Sequence, residues 1–425
     1  MHIAIVSGEY PPRWGGIGSV VFHLAGHMVD LGHEVTIITR SHTSKVPSQE
    51  GVEVISVNWA KIPMAFTRSY GKHAIRALYN LNKRKPIDII NAHLPLVSWK
   101  AKEFSNLEKK IAPVVSCLHG SWIGEREGVK RAAAAGESAT WRNPNDLAIS
   151  MTAKYYSRYE RAGITNSSIC VANSQSTLSE FKKWYDPDEN FDCEVVLWGC
   201  DHKVFRPPNN DNEAEQLEHE RIRSDYGCDD EDALSYSFST KTPMLLAVGR
   251  LVARKGYMTL LRALPDIIKQ NPGVKLVIVG RGHMKKSLLK ESVKLGISDS
   301  VYIKSSLSFS ELAQHFRSAD LVVYPSYYEG QGLIPLESLA SGTSVATVDQ
   351  EPLTEMVDES VGGLFKRGKP GELANCVNKM LADDKTPAKA VLGRERVLSK
   401  FTYEHNAIDY ERIFNRAIEK SHSKR

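Results

Sequence analysis

Short apolar runs alternate with helix-like stretches along this chain, and the alternation begins twice. IAIV at 3–6 is followed by a glycine-rich turn and then by 18–31, where Val20, Val21, Leu24, Met28 and Leu31 recur at helical spacing. Gly32 stands where that helix should end. EVTIIT at 34–39 reads as the next strand, with further strands at 52–57, 88–92, 114–118, 169–173 and 194–197. The pattern restarts with MLLAV at 244–248, then a helix over 258–268 and strands at 275–279, 301–303, 321–324 and 344–347. Alternation of this kind requires parallel sheets covered by helices on both faces. The fold class is therefore α/β, with two doubly wound domains. Pro207 and Pro208 break any regular element and put the boundary near 201–208, giving domains 1–202 and 203–401.

Composition narrows the function. A 425-residue chain with 42% apolar and 25% charged residues has the make-up of a globular enzyme. A net charge of +5 is too small for a dedicated nucleic-acid binder. The six cysteines form no CxxC pair and read as reduced thiols of a cytosolic protein rather than metal ligands. MHIAIVSGEYPP lacks the apolar core of a signal peptide, and no run is long enough to span a membrane. The polar stretch 209–232, with DDED at 229–232, reads as a solvated helix and loop at the edge of the second domain.

Ligands of open α/β sheets bind beyond the carboxyl ends of the strands, so the loops there carry the chemistry. SGEYPPRWGGIGS at 7–19 places Gly15, Gly16 and Gly18 before a helix N-terminus. That suits close approach of an anion, and it equally suits a plain glycine-rich turn. AVGRLVARKGY at 247–257 sets Arg250 and Lys255 just past a strand. A guanidinium and an ammonium there can clamp a phosphate, or simply face water. YPSYYEGQGLIPLESLASG at 324–342 holds two carboxylates, Glu329 and Glu337, around a helix start. Backbone N–H groups at 330–333 can take phosphate oxygens while the carboxylates accept bonds from hydroxyls. His93 and His119 each follow a strand of the first half and share a sheet edge, which raises the prospect of a cleft role for both.

Taken in order, these residues resemble the retaining glycosyltransferases of family four, which have the GT-B fold of two Rossmann-like domains. The resemblance runs through PPRWGGIGS, LGHEVTIIT, LHG, WGCDHKVFRP, VGRLVARKG, VIVGRG and the Glu329–Glu337 spacing of PSYYEGQGLIPLESLASG. It implies that Arg250 and Lys255 hold the donor diphosphate and stabilise its departure. Glu337 is implied to hold the ribose, Glu329 the transferred sugar, and His119 to lie near the reacting carbon. Gly15, Gly16, Gly249, Gly280, Arg281, Gly330, Gln331, Gly332 and Leu333 complete the expected donor site, with His93 and His119 on the acceptor side. The terminal helix, within 402–425, is implied to return to the first domain. No metal or cofactor is implied, because Arg and Lys carry the charge. The expected reaction is a front-face substitution in which the leaving phosphate helps deprotonate the acceptor. Trp198 stands where the family has Asn, Gln331 replaces an aromatic, and VDQEPLTEMV replaces a Gly-Gly loop.

The stretch 60–86 carries Lys61, Arg68, Lys72, Arg76, Lys83, Arg84 and Lys85 and no acid. It reads either as a solvated helix or as a contact with an anionic membrane that presents a lipid-linked acceptor, at the membrane's cytoplasmic face. Two other functions fit the same motifs: a sugar-nucleotide epimerase of similar fold, and a non-catalytic subunit that binds a nucleotide sugar.

Overall fold

The computed structural model of the chain describes residues 1–12, 15–44, 46–209, 211–228, 242–305 and 307–423. The DDED run expected to be a solvated loop lies outside them, as do Arg13 and Trp14 of the first glycine-rich loop. The chain divides into two units. One comprises Met1–Glu127, Pro144–Gly199 and Tyr403–Arg425; the other comprises Gly128–Asn143 and Cys200–Thr402. Residues 128–143, which the sequence reading leaves in the first domain, group with the second.

In the first unit the elements run β1 (His2–Val6), α1 (Gly16–Asp30), β2 (Glu34–Arg40), β3 (Val52–Val57), α2 (Ala65–Arg84), β4 (Ile89–Leu94), α3 (Ala101–Lys110) and β5 (Val114–Leu118). They continue with α4 (Trp122–Ala134), α5 (Pro144–Asn166), β6 (Ile169–Ala172), α6 (Gln175–Tyr185) and β7 (Cys193–Val195). The end of α4 carries the chain into the 128–143 segment. The seven strands form one parallel sheet in the order β3-β2-β1-β4-β5-β6-β7.

The second unit contains α7 (Glu213–Asp225), β8 (Met244–Val248), α8 (Tyr257–Gln270), β9 (Lys275–Val279), α9 (Lys285–Lys294), β10 (Val301–Lys304), α10 (Phe309–Ser318) and β11 (Leu321–Tyr324). It ends with α11 (Leu333–Ala340), β12 (Val345–Val348), β13 (Gly362–Phe365), α12 (Pro370–Ala382) and α13 (Thr386–Lys400). Its sheet is parallel in the order β10-β9-β8-β11-β12-β13. Strand β13 was not foreseen. Its GGLF sequence has little strand character, and the glycine is needed because a Cβ on Gly362 would collide with the Val345 carbonyl and the Val357 side chain.

Helix α14 (Tyr403–His422) belongs to the first unit. That sheet is apolar on both faces because alternate residues of each strand point opposite ways. Ala4, Val6, Ile90 and Ala92 pack with Tyr70, Leu78, Phe104 and Leu107, from α2 and α3. Ile3, Ile5, Ile89 and Val115 pack with Val21, Leu24 and Met28 of α1 and with Tyr410, Ile413 and Phe414 of α14. Each Val, Leu, Ile, Phe or Met side chain among them contributes roughly 1.5–3 kcal/mol when fully buried. The edge strand β7 is also covered: Arg412 meets Glu194 at 2.6 Å, Lys420 meets Asp192 at 2.8 Å, and Arg416 pairs with both acids.

The basic stretch 60–86 becomes α2 and its flanks, and its charge is partly spent. Arg68 is bound by Glu103 through both oxygens at 2.6 and 2.7 Å, Arg84 meets Glu53 at 2.6 Å, and Lys85 meets Glu34 at 2.6 Å.

Candidate active site

Apart from Gly15 and Gly16, which belong to the first unit, the expected donor residues stand at the carboxyl edge of the second unit's sheet. β8 and β9 leave that edge stitched together. A Cβ on Gly280 would overlap the Gly249 carbonyl, and the Leu251 N–H donates to the Arg281 carbonyl at 2.8 Å. Arg250 and Arg281 are both exposed at this edge, and Arg281 Nε donates to the Ser305 carbonyl at 3.1 Å.

Lys255 is brought to Glu329. Its Nζ donates to Glu329 Oε1 at 2.5 Å and to the Tyr324 hydroxyl at 2.7 Å. The Tyr324 and Ser326 hydroxyls donate to the same carboxylate oxygen at 2.7 and 2.5 Å. All three donors meet Oε1 and none meets Oε2. Burial by itself would raise the Glu329 carboxyl, but the charges of Lys255 and Arg254 outweigh it and hold it down at about 2. Burial lowers Lys255 to about 8, against the pull of Glu329. Both groups are therefore charged at neutral pH.

Gly330, Gln331, Gly332 and Leu333 form the approach to the N-terminus of α11. The Gln331 side chain is only 1% exposed and donates to Met356 Sδ at 3.6 Å, so only its backbone is left to face a ligand. Glu337, one turn into α11, is buried, and its Oε2 has no protein partner. Burial, and then the neighbouring Asp201 charge, push its carboxyl up to about 8.

Three residues of this unit were not foreseen from spacing. Tyr324 bridges the lysine and the glutamate, but as the last residue of a strand it read as core. Arg254 adds charge beside Glu329, yet only Arg250 and Lys255 of its loop were singled out. Glu137 comes from the 128–143 segment. Its carboxylate accepts the N–H groups of Met258 and Thr259 at 2.8 and 2.9 Å and the Thr259 hydroxyl at 2.5 Å. It caps α8, the helix that follows the Lys255 turn, so that helix end already holds an anion.

In the first unit, Gly15 is the N-cap of α1, and the Glu9 carboxylate occupies the place a Cβ there would need. Trp198 packs 3.8 Å from the corresponding point on Gly16, and its ring lies 4.7 Å from that of His119. His93 does not reach an acceptor directly, as the sequence reading expected: it is fully buried, because β4 lies inside the sheet. It works instead as a link. Asn91 Nδ2 points at the Val115 carbonyl at 3.4 Å, which can only accept, so Asn91 Oδ1 must accept from His93 Nε2 at 2.9 Å. His93 Nδ1 is then an acceptor and takes the proton of His119 Nε2 at 2.8 Å. His119 is left with a lone pair on Nδ1, a buried atom without a protein partner.

Burial holds His93 at about 3, and burial followed by the His93 charge holds His119 well below the usual imidazole range. Both rings are neutral at working pH. Cys117, His93 and His119 bring one ligand-type atom each within 4.8 Å of one another. The set does not fit a metal. Both His93 nitrogens are committed, and burial raises the Cys117 thiol to about 11 while Tyr410 and Asn91 hydrogen-bond it.

The Glycosyltransferase Family 4 model matches residues 14–203, and the Glycosyl transferases group 1 model matches residues 229–392. An uncharacterized glycosyltransferase of Methanocaldococcus jannaschii is 26% identical over 99% of both chains. A glycogen synthase of Mycobacterium tuberculosis is 27% identical over 95% of this chain and 92% of its own. Among solved structures, sucrose-phosphate synthase from Thermosynechococcus elongatus superposes with a TM-score of 0.75 at 20% identity, covering 98% of each chain.

Proposed function

The chain belongs to glycosyltransferase family four, with the GT-B fold, and from that premise we propose how its own residues divide the work of a retaining, metal-independent sugar transfer from a nucleotide sugar. Membership sets aside the epimerase and the non-catalytic subunit. Arg250 and Lys255 take the donor diphosphate. Lys255 is kept charged and in place by Glu329 and Tyr324, so it needs no reorganisation when a phosphate oxygen arrives. As negative charge grows on the leaving phosphate, the two cations stabilise it. Glu329 Oε2 receives hydroxyls of the transferred sugar, and Glu337 receives the ribose. Backbone N–H groups of 330–333, with Gly249 and Gly280, make room for the phosphates.

In the first unit, His119 offers its bare Nδ1 to a sugar hydroxyl, with Gly15, Gly16 and Trp198 nearby. A neutral acceptor suits a hydroxyl and not a phosphate. The acceptor hydroxyl is deprotonated by the departing phosphate, on the face the phosphate leaves, so the anomeric configuration is kept. The observation that carries this reading is the pairing of a near-buried Lys255–Glu329 cluster with an unpartnered Glu337 oxygen beyond one parallel sheet. The six unpaired cysteines suit a reducing, cytoplasmic setting. A lipid-linked acceptor is one candidate class, a growing glycan another.

The test is a thermal-shift panel of nucleoside diphosphates and their sugars. A ligand of the folded state raises the melting temperature by mass action, by about 2.7 kcal/mol of stability at a hundredfold excess over Kd. One nucleobase should stand out. A flat panel across all bases would overturn the donor assignment.

A further inference from the structure

Helix α5 is a 23-residue helix whose inner face is made by Ile149, Ala153, Tyr156 and Tyr159, packed with Met64 and Trp122. The outer face of a surface helix is ordinarily polar. Here it carries Leu147, Met151 and Tyr155, spaced four apart and 40%, 75% and 54% exposed. The charged residues that share the exposed surface are Lys154, Arg158 and Arg161. The acids of this helix, Asp146 and Glu160, are both buried, and Glu160 is engaged by the Trp122 N–H and the Tyr185 hydroxyl. The acids of the packed helix α3 are also engaged, Glu103 by Arg68 and Glu108 by the Ser168 hydroxyl at 2.6 Å. Arg158 stacks 3.7 Å from the Tyr155 ring. Exposed Lys61 and Ile62, the latter 60% exposed, precede Met64, which is part of the same cluster.

We propose that this face of α5, together with the Lys61–Ile62 turn, rests on an anionic lipid surface. A long apolar side chain beside an aromatic ring and cations, with no exposed acid on the helix, is the composition that an acyl–headgroup boundary accepts. A protein partner would be expected to meet mixed charge; a lipid headgroup layer supplies one sign only. The assignment moves the membrane contact from α2, several of whose cations are already paired, to α5. It does not depend on the donor site.

The experiment is co-sedimentation of the full chain with phosphatidylcholine vesicles, with and without phosphatidylglycerol. Binding is expected only to the anionic vesicles and should weaken as salt is added. Met151→Glu combined with Tyr155→Glu should abolish it. Lys154→Gln and Arg158→Gln should each weaken it about fivefold. Lys72→Gln with Arg76→Gln on α2 should leave it unchanged. The melting temperature and the nucleoside diphosphate shift of each variant should match the parent, which separates this result from any failure of the donor reading. The proposal is overturned by absence of binding, by full binding of the Met151/Tyr155 variant, by loss only in the α2 variant, or by a dimer in solution that the same double variant dissociates.

Discussion

Glu337 provides the sharpest test, because its role requires a charge that its surroundings oppose. Burial and Asp201 lift its carboxyl from 4.5 to about 8. At about 1.4 kcal/mol per unit, holding the ionised form in the free protein costs roughly 5 kcal/mol relative to water. At pH 7 roughly a tenth of the free molecules therefore carry the carboxylate, and at pH 6 roughly a hundredth. If only the ionised form takes the ribose diol, apparent affinity scales with that fraction. Nucleoside affinity should then climb close to tenfold per pH unit up to about 8 and level off above, and binding at pH 7 should release close to one proton.

A nucleoside without phosphates is the right probe, since its own groups do not titrate there. Calorimetry in two buffers of different ionisation enthalpy reads both quantities. Glu337→Gln should bind weakly with no slope. Stability has the opposite sign. A carboxyl with a raised folded pKa contributes fully below its unfolded value, and the contribution is lost as pH rises through the folded one. The glutamine variant should thus be the more stable protein at pH 9 and close to parental at pH 4. Glu160, also lifted to about 8, is common to both proteins and cancels in the comparison. A flat affinity profile in the parent, or a glutamine variant that binds as tightly as the parent at pH 8, would refute the ribose assignment.

Arg250→Ala and Lys255→Ala should each lower turnover a hundredfold or more, as expected for groups that stabilise developing charge; normal turnover in both would remove the phosphate role. Loss of exposed Arg250 should shift stability little, whereas loss of Lys255 leaves the near-buried Glu329 carboxylate without its cation and should cost roughly 3–5 kcal/mol. Because Lys255 sits at about 8, kcat/KM in the parent should fall above that pH, and Lys255→Arg should move the fall upward. Asn91→Leu should remove the acceptor that orders His93 and mix the tautomers of His119, visible as averaged imidazole nitrogen signals in 15N NMR, whereas Asn91→Asp should keep the parental tautomer; identical spectra for all three proteins would disprove the relay.

Much of this was legible from the chain. Fourteen spans were read as strands or as the first helix of each half by apolar period, and the structure has an element at each of them. That reading works where burial on both faces leaves an uninterrupted apolar run, as in MLLAV. It fails where backbone proximity, not side-chain character, makes the strand, as in β13. At the site, Lys255 and Glu329 were found because charged residues past an apolar strand need a partner. Tyr324 was passed over because an aromatic beside a strand reads as core until its neighbours are known; Trp198 was noted only as a departure from the family pattern, with no contact assigned to it. Asn91 was invisible for a related reason: its importance lies in which atom faces a carbonyl, and no spacing rule encodes that. His93 was noticed but assigned too near the surface, since a strand's place within the sheet is not written in the strand.

Glu137 has a consequence for anyone recombining this protein with a relative. The piece of chain that seals the start of α8 is encoded well upstream of the remainder of its unit, between two segments of the other. A chimera joined at a single crossover near residue 200 would import a helix terminus evolved for a different plug. Exchange at four crossovers, carrying 128–143 along with 200–402, keeps lock and key from the same parent.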